Sequence, residues 1–298
     1  MEPSLTRPPL GRRIALEFHT AQPVTWIGPA WATICGAVAS GEFLFSGQSL
    51  LRLAIAIILT DPILGAWRAA WVNTDWRRPM QIWRATPTRS WMLLPYARLD
   101  SPAAHLSQWL SSRAKFWREA VWPEVGQSIS GIFISGLIAL SVALVLGTST
   151  FLLTILALLF APLEGELQQN GVGRWPRALV EIGAAWWIGH AAVSVTLPTT
   201  ESALLGLFFA FTYRGLLAMP SSREIGFAIS NFSQVVIAGI LTARGAFLHA
   251  GFVGVGIVAQ ALWQSLARRA NQDAPTYLRH VQWFVLAAMI VAAIGVSH

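Results

Sequence analysis

Residues 125–163, VGQSISGIFISGLIALSVALVLGTSTFLLTILALLFAPL, lie between Glu124 and Glu164 and carry no ionisable side chain. A bilayer core takes about 20 apolar residues of helix per crossing, so this run holds two crossings joined at Gly147-Thr148-Ser149. The rest of the chain agrees. Of its 298 residues 54% are apolar and only 12% charged, where a soluble domain carries about 25%. Apolar stretches recur at about 22–40, 49–72, 126–146, 149–163, 178–196, 203–219, 225–243, 246–266 and 279–297. The expected fold is all-α: a polytopic membrane protein of about nine transmembrane helices forming a single domain over 1–298.

The net charge of +7 is distributed by side of the membrane. Counting from a cytoplasmic N-terminus, the inner segments collect Arg7, Arg12, Arg13, the basic residues between Arg77 and Arg118, Arg174, Arg177, Arg214, Arg223, Arg268, Arg269 and Arg279. Only Arg52 and Arg244 fall outside. That asymmetry is the positive-inside rule. It assigns the basic excess to topology and to anionic headgroups of the lipid bilayer, with no nucleic-acid partner. An integral protein of a bacterial cytoplasmic membrane is expected. The N-terminal segment is not expected to act as a signal peptide, because Pro8, Arg12, Arg13 and Glu17 interrupt any apolar core. Cys35 is the one cysteine, so no intrachain disulfide forms.

The longest connection, residues 73–125, is read as a cytoplasmic loop with structure of its own. Ser101-Pro102 has the form of an N-cap followed by proline in the first turn. Leu106, Trp109, Leu110, Trp117, Ala120 and Val121 then recur at helical spacing, which predicts an amphipathic interfacial helix over about 102–122.

Ionisable groups inside spans are costly and mark functional positions. Asp61, before Pro62, and Arg68, seven residues on, share one face of the second span about 10 Å apart along the axis. Either they form a structural network or they hold a ligand. Glu181 is expected to reach the interface. His190 and His249 suit hydrogen bonds between helices, or ligation of a metal or magnesium-porphyrin. Metal-pair spacings and nucleotide-binding loops are missing from the sequence.

The stretches Pro23-Val24-Thr25-Trp26-Ile27-Gly28-Pro29-Ala30-Trp31 and Cys35-Gly36-Ala37-Val38-Ala39-Ser40-Gly41, with Val72-Asn73-Thr74-Asp75-Trp76 after the second span and Asn170-Gly171-Val172-Gly173-Arg174-Trp175 after the fourth, resemble the UbiA superfamily of intramembrane prenyltransferases. The similarity is to its chlorophyll and bacteriochlorophyll synthase branch. It implies a UbiA-like helical bundle and two acidic clusters that hold Mg²⁺ against a prenyl diphosphate. Here the clusters are degenerate. Asn73 matches the first motif's asparagine and Asp75 its first aspartate after a one-residue slip, but Trp76, Arg77 and Arg78 replace the later acids. The second motif, over 213–224, retains Glu224 alone.

Two functions follow from the resemblance. The first is an impaired or non-catalytic relative. It would keep a cavity for an isoprenoid, quinone or chlorin-like (tetrapyrrole) ligand, or serve as a subunit beside a membrane-protein partner. The second is an atypical prenyltransferase, transferring from a prenyl diphosphate to an aromatic or tetrapyrrole acceptor. In it Asp75 and Glu224 would hold Mg²⁺, while Arg77, Arg78, Arg84, Arg214 and Arg223 would contact phosphate oxygens. Asn73, Asp61 and Arg68 complete the set of candidate substrate-binding residues. A small transporter gated around Asp61 is the reading of another class.

Overall fold

The computed structural model describes residues 27–83, 101–168, 174–269 and 273–297. Every regular element among them is a helix. In chain order these are α1 (Pro29–Ala39), α2 (Gly47–Val72), α3 (Arg78–Ile82), α4 (Pro102–Leu146), α5 (Thr148–Gln168), α6 (174–194), α7 (Thr200–Ala218), α8 (Arg223–Ala243), α9 (Phe247–Arg269) and α10 (Ala274–Val296). Five of them, α2, α4, α8, α9 and α10, are long and apolar enough to cross a membrane. The helix α1 and the stretch 148–164 are apolar but shorter. The chain divides into two compact units, residues 70–134 and the remainder.

Among the described residues three helices contain a π turn, in which one extra residue widens the coil. In α2 it covers Leu59–Ile63 around Pro62, whose ring removes a backbone donor and forbids the regular ladder. In α6 it covers Leu179–Ala184. Those two turns carry the buried acids Asp61 and Glu181. The third, Trp117–Val121, makes α4 continuous. The expected surface helix therefore runs directly into the third span instead of ending before it.

At the start of α4 the Ser101 side chain accepts a hydrogen bond from the Ala104 amide, with Pro102 in the first turn, as the sequence predicts. The apolar stripe is divided, however. Leu106, Trp109, Leu110 and Trp117 are exposed, while Ala120 and Val121 are buried with the small residues Ala104, Ser107 and Ser111. The helix turns its bulk outward and packs through its small side chains.

In the larger unit the core is built on Trp186, Phe209, Leu216, Ile237 and Met289. Helices α1 and α6 approach backbone to backbone. A Cβ at Gly36 would collide with the Trp186 carbonyl, and one at Gly189 with the Thr33 carbonyl. The two glycines act reciprocally, one on each helix, and the contact they permit replaces the hydrophobic drive that lipid removes.

Candidate functional site

The polar centre of the larger unit is a chain of four charged groups and a tyrosine drawn from four helices. Arg68 on α2 lies between two carboxylates. Its Nη1 is 3.2 Å from Oε1 of Glu164 on α5, and its Nη2 is 2.6 Å from Oε1 of Glu181 on α6. The Arg177 Nε donates to both oxygens of Glu181, at 3.2 and 3.1 Å, one helical turn earlier on α6. The Tyr213 hydroxyl, on α7, donates to Oε2 of Glu181 at 2.8 Å. Glu164, Glu181 and Arg68 are 5%, 3% and 9% exposed. Two arginines balance two glutamates, and Tyr213 adds a hydrogen bond to Glu181. That is the condition under which buried ions are tolerated.

The sequence leaves Asp61 and Arg68 as either a structural network or a ligand site on one face of the second span. The structure places Arg68 against Glu164 and Glu181, while Asp61 is buried in the π turn beside Thr60. Thr60 shares a 2.7 Å hydroxyl contact with Thr33 on α1. Glu181, expected at the interface, is instead buried and accepts from Arg68, Arg177 and Tyr213. One signal for it was available, since Arg177 and Glu181 stand at i and i+4 on a helix. The pairing of Arg68 with Glu164, 96 residues apart, had none.

The motif after the second span folds on itself, within the smaller unit. Asn73 and Asp75 are exposed. Asp75 Oδ1 accepts the Arg77 amide at 3.1 Å, which closes a local turn. Trp76 donates from its indole to the Trp71 carbonyl at 3.0 Å, and Arg78 pairs with Glu124 at 3.0 Å. In the larger unit Glu224, in the first turn of α8, pairs with Arg268 at 2.8 Å. Arg223 lines a small recess with Met219, Phe227, Arg268 and Tyr277. Arg84 lies outside the described residues.

His190 is buried, with Nδ1 3.1 Å from the Ser202 hydroxyl on α7, and Ser202 also accepts the Trp186 indole N–H at 3.1 Å. The histidine is a bond between helices. His249 packs against Gly295.

Comparison with known proteins adds to this geometry. The bacteriochlorophyll synthase 34 kDa chain of Chloroflexus aurantiacus is 30% identical over 205 residues, 68% of this chain and 57% of that protein. Chloroplastic chlorophyll synthase of Arabidopsis thaliana is 20% identical over 95% of this chain and 75% of its own length. The bacteriochlorophyll synthase 33 kDa chain of Cereibacter sphaeroides is 22% identical over 91% of this chain and 89% of its own. This chain is related to the bacteriochlorophyll and chlorophyll synthases. No family model and no solved structure matches it. The kinship agrees with the UbiA-type resemblance of the sequence and with the all-helical, membrane-spanning architecture.

A UbiA-type enzyme needs clustered carboxylates for magnesium, and the acids described here are otherwise engaged. Among the described residues no three of His, Cys, Asp and Glu are grouped so as to hold a metal ion. Glu164 and Glu181 are neutralised by arginine, Asp75 closes its own turn, and Glu224 is ion-paired. With guanidinium groups on Glu164, Glu181 and Glu224, those three side chains as placed here do not fit magnesium. Sequence reading found the thinning of the acids. It did not find the buried charge chain.

Proposed function

We propose that this chain is a non-catalytic relative of the chlorophyll-synthase-type prenyltransferases. In this reading it binds an isoprenoid or chlorin-type lipid in the membrane and does not carry out magnesium-dependent prenyl transfer. The observation that carries the reading is the engagement of both motif acids: Asp75 in its own turn and Glu224 with Arg268. Departure of a diphosphate leaves charge on oxygen, and magnesium stabilises that charge by several kcal/mol. Losing that contribution slows the step by roughly a thousandfold or more. Binding of the lipid portion makes no such demand, because it rests on apolar contact between helices.

The test incubates the purified full chain with labelled geranylgeranyl or phytyl diphosphate and chlorophyllide-type acceptors, with magnesium and with chelator. An organic extract of the same preparation is examined by absorbance and mass spectrometry. The expected result is a co-purifying isoprenoid or chlorin lipid and no magnesium-dependent product. Turnover that needs magnesium and is lost in Asp75→Asn would overturn the proposal in favour of an atypical prenyltransferase. If neither lipid nor turnover is found, the lipid-binding reading fails and a role as a subunit of a membrane complex takes its place.

A further inference from the structure

The side chain next to Tyr213 points elsewhere. Successive residues on a helix are about 100° apart, so Tyr213 and Arg214 face different sides of α7. Tyr213 reaches the buried glutamate Glu181. Arg214 instead lays its guanidinium over the ring of Trp175, 4.2 Å from the centroid. Its Nε and Nη1 are shielded from solvent and have no hydrogen-bond partner. Among the described residues it is the only charged side chain left in that condition.

Shielded guanidinium nitrogens with no hydrogen-bond partner are costly, and native structures rarely leave them so. The neighbours increase the cost. Arg174 stands close enough to repel Arg214 and is itself held by the Ser221 hydroxyl, 2.5 Å from its Nη1. No acid among the described residues pairs with either arginine. Two fixed positive charges, converging from the start of α6 and the end of α7, therefore lack a counter-charge.

The surface leading away from them is aromatic. Trp175 meets Phe211 edge-on at 4.7 Å, and Phe211 meets Phe208 at 5.6 Å. Phe208, Phe211 and Arg214 are spaced by three and share one face of α7, and all are half-buried. A charged seat at the end of an apolar strip matches an amphiphile with a phosphate head.

We propose that Arg214 and Arg174, with Trp175 and Ser221, form a metal-free phosphate-binding site between the start of α6 and the end of α7, separate from the Arg68–Glu181 network. Its ligand is a phosphate ester, either the headgroup of an anionic lipid whose chain lies along Phe211 and Phe208, or a free phosphate. Charge-assisted hydrogen bonds from two guanidinium groups supply the recognition.

The experiment measures binding to the purified full chain in a nonionic detergent. Its probes are dihexanoyl-phosphatidylglycerol, dihexanoylglycerol without the phosphate, and inorganic phosphate. The expected result is saturable binding of the phospholipid and none of the diacylglycerol. Arg214→Gln and Arg174→Gln each weaken that binding about tenfold or more. Arg244→Gln, in an ion pair with Glu201 elsewhere, leaves it unchanged. Competition by inorganic phosphate would identify the phosphate alone as sufficient; failure to compete would assign the site to the lipid headgroup. Thermal unfolding checks each variant. Should Arg214→Gln not fold, Arg174→Gln carries the test, because its guanidinium is bonded only to a surface serine. The proposal is overturned if both variants bind within twofold of the parent, if Arg244→Gln weakens binding equally, or if the diacylglycerol binds as well as the phospholipid.

Discussion

Glu181→Gln is the substitution that examines the buried charge chain most directly. The carboxylate accepts from Arg68, Arg177 and Tyr213 at 2.6 to 3.2 Å, and glutamine preserves its shape while removing its charge. The chain then changes from two positive and two negative groups to two positive and one negative. The new amide also presents donors to donors. Breaking a buried pair while leaving the partner charged costs about 3–5 kcal/mol in water-soluble proteins. In a membrane protein the unfolded chain finds other partners, and the loss falls toward about 1–2 kcal/mol. Glu164→Gln should cost less. Its oxygens receive only Arg68, at 3.2 and 3.4 Å, and Arg68 keeps Glu181. Adding Arg177→Gln to Glu181→Gln restores neutrality and should recover part of the loss. The measurement is reversible unfolding in mixed detergent, with Glu181→Gln, Glu164→Gln, Arg177→Gln and the double variant compared as a cycle. The reasoning is refuted if Glu181→Gln costs no more than Glu164→Gln, or if the double variant is as unstable as the sum of its single changes.

Two further outcomes are expected. Gly189→Ala sets a methyl group against the Thr33 carbonyl of α1, so it should destabilise the fold by about 1–3 kcal/mol in the same unfolding assay, whereas Gly251→Ala, with open space around it, should be nearly neutral. Reporter fusions after Gln48, Leu197 and His298 should all register outside the membrane if the chain makes nine crossings from a cytoplasmic N-terminus; a cytoplasmic signal at His298 would remove that topology.

The membrane class was legible because it depends on composition within short windows, and the charge-free residues 125–163 admit few alternatives. The cap at Ser101 was legible for the same reason, since a hydroxyl and a proline act within one turn. Span limits were less so. The third span has no boundary at Trp122, because the π turn at Trp117–Val121 absorbs the change of face without ending the helix. The site was read least well. Asp61 and Arg68 share a helix face in sequence, which left a structural network and a ligand site as equal alternatives. Helix packing adds partners for Arg68 from 96 and 113 residues away, Glu164 on α5 and Glu181 on α6. Arg177 with Glu181 was the one local clue, and counting Glu181 as a surface acid hid it.

The arrangement also explains why the buried glutamates do not replace the missing motif acids. Glu164 and Glu181 both contact Arg68, so they stand around a common point, as two ligands of one ion would. The guanidinium already occupies that point. Adding a divalent ion to a set of two arginines and two glutamates would leave a charge of +2 in a medium that penalises even one unpaired charge. Magnesium would first have to expel Arg68. Expulsion is opposed by the helix itself, because Arg68 lies one to two turns beyond the π turn of α2 and is buried on the packed face of that helix. The same two acids that resemble half of a metal site are therefore better described as counter-ions of a fixed arginine. On that account the network ties four helices together through Arg68, Glu164, Glu181 and Tyr213.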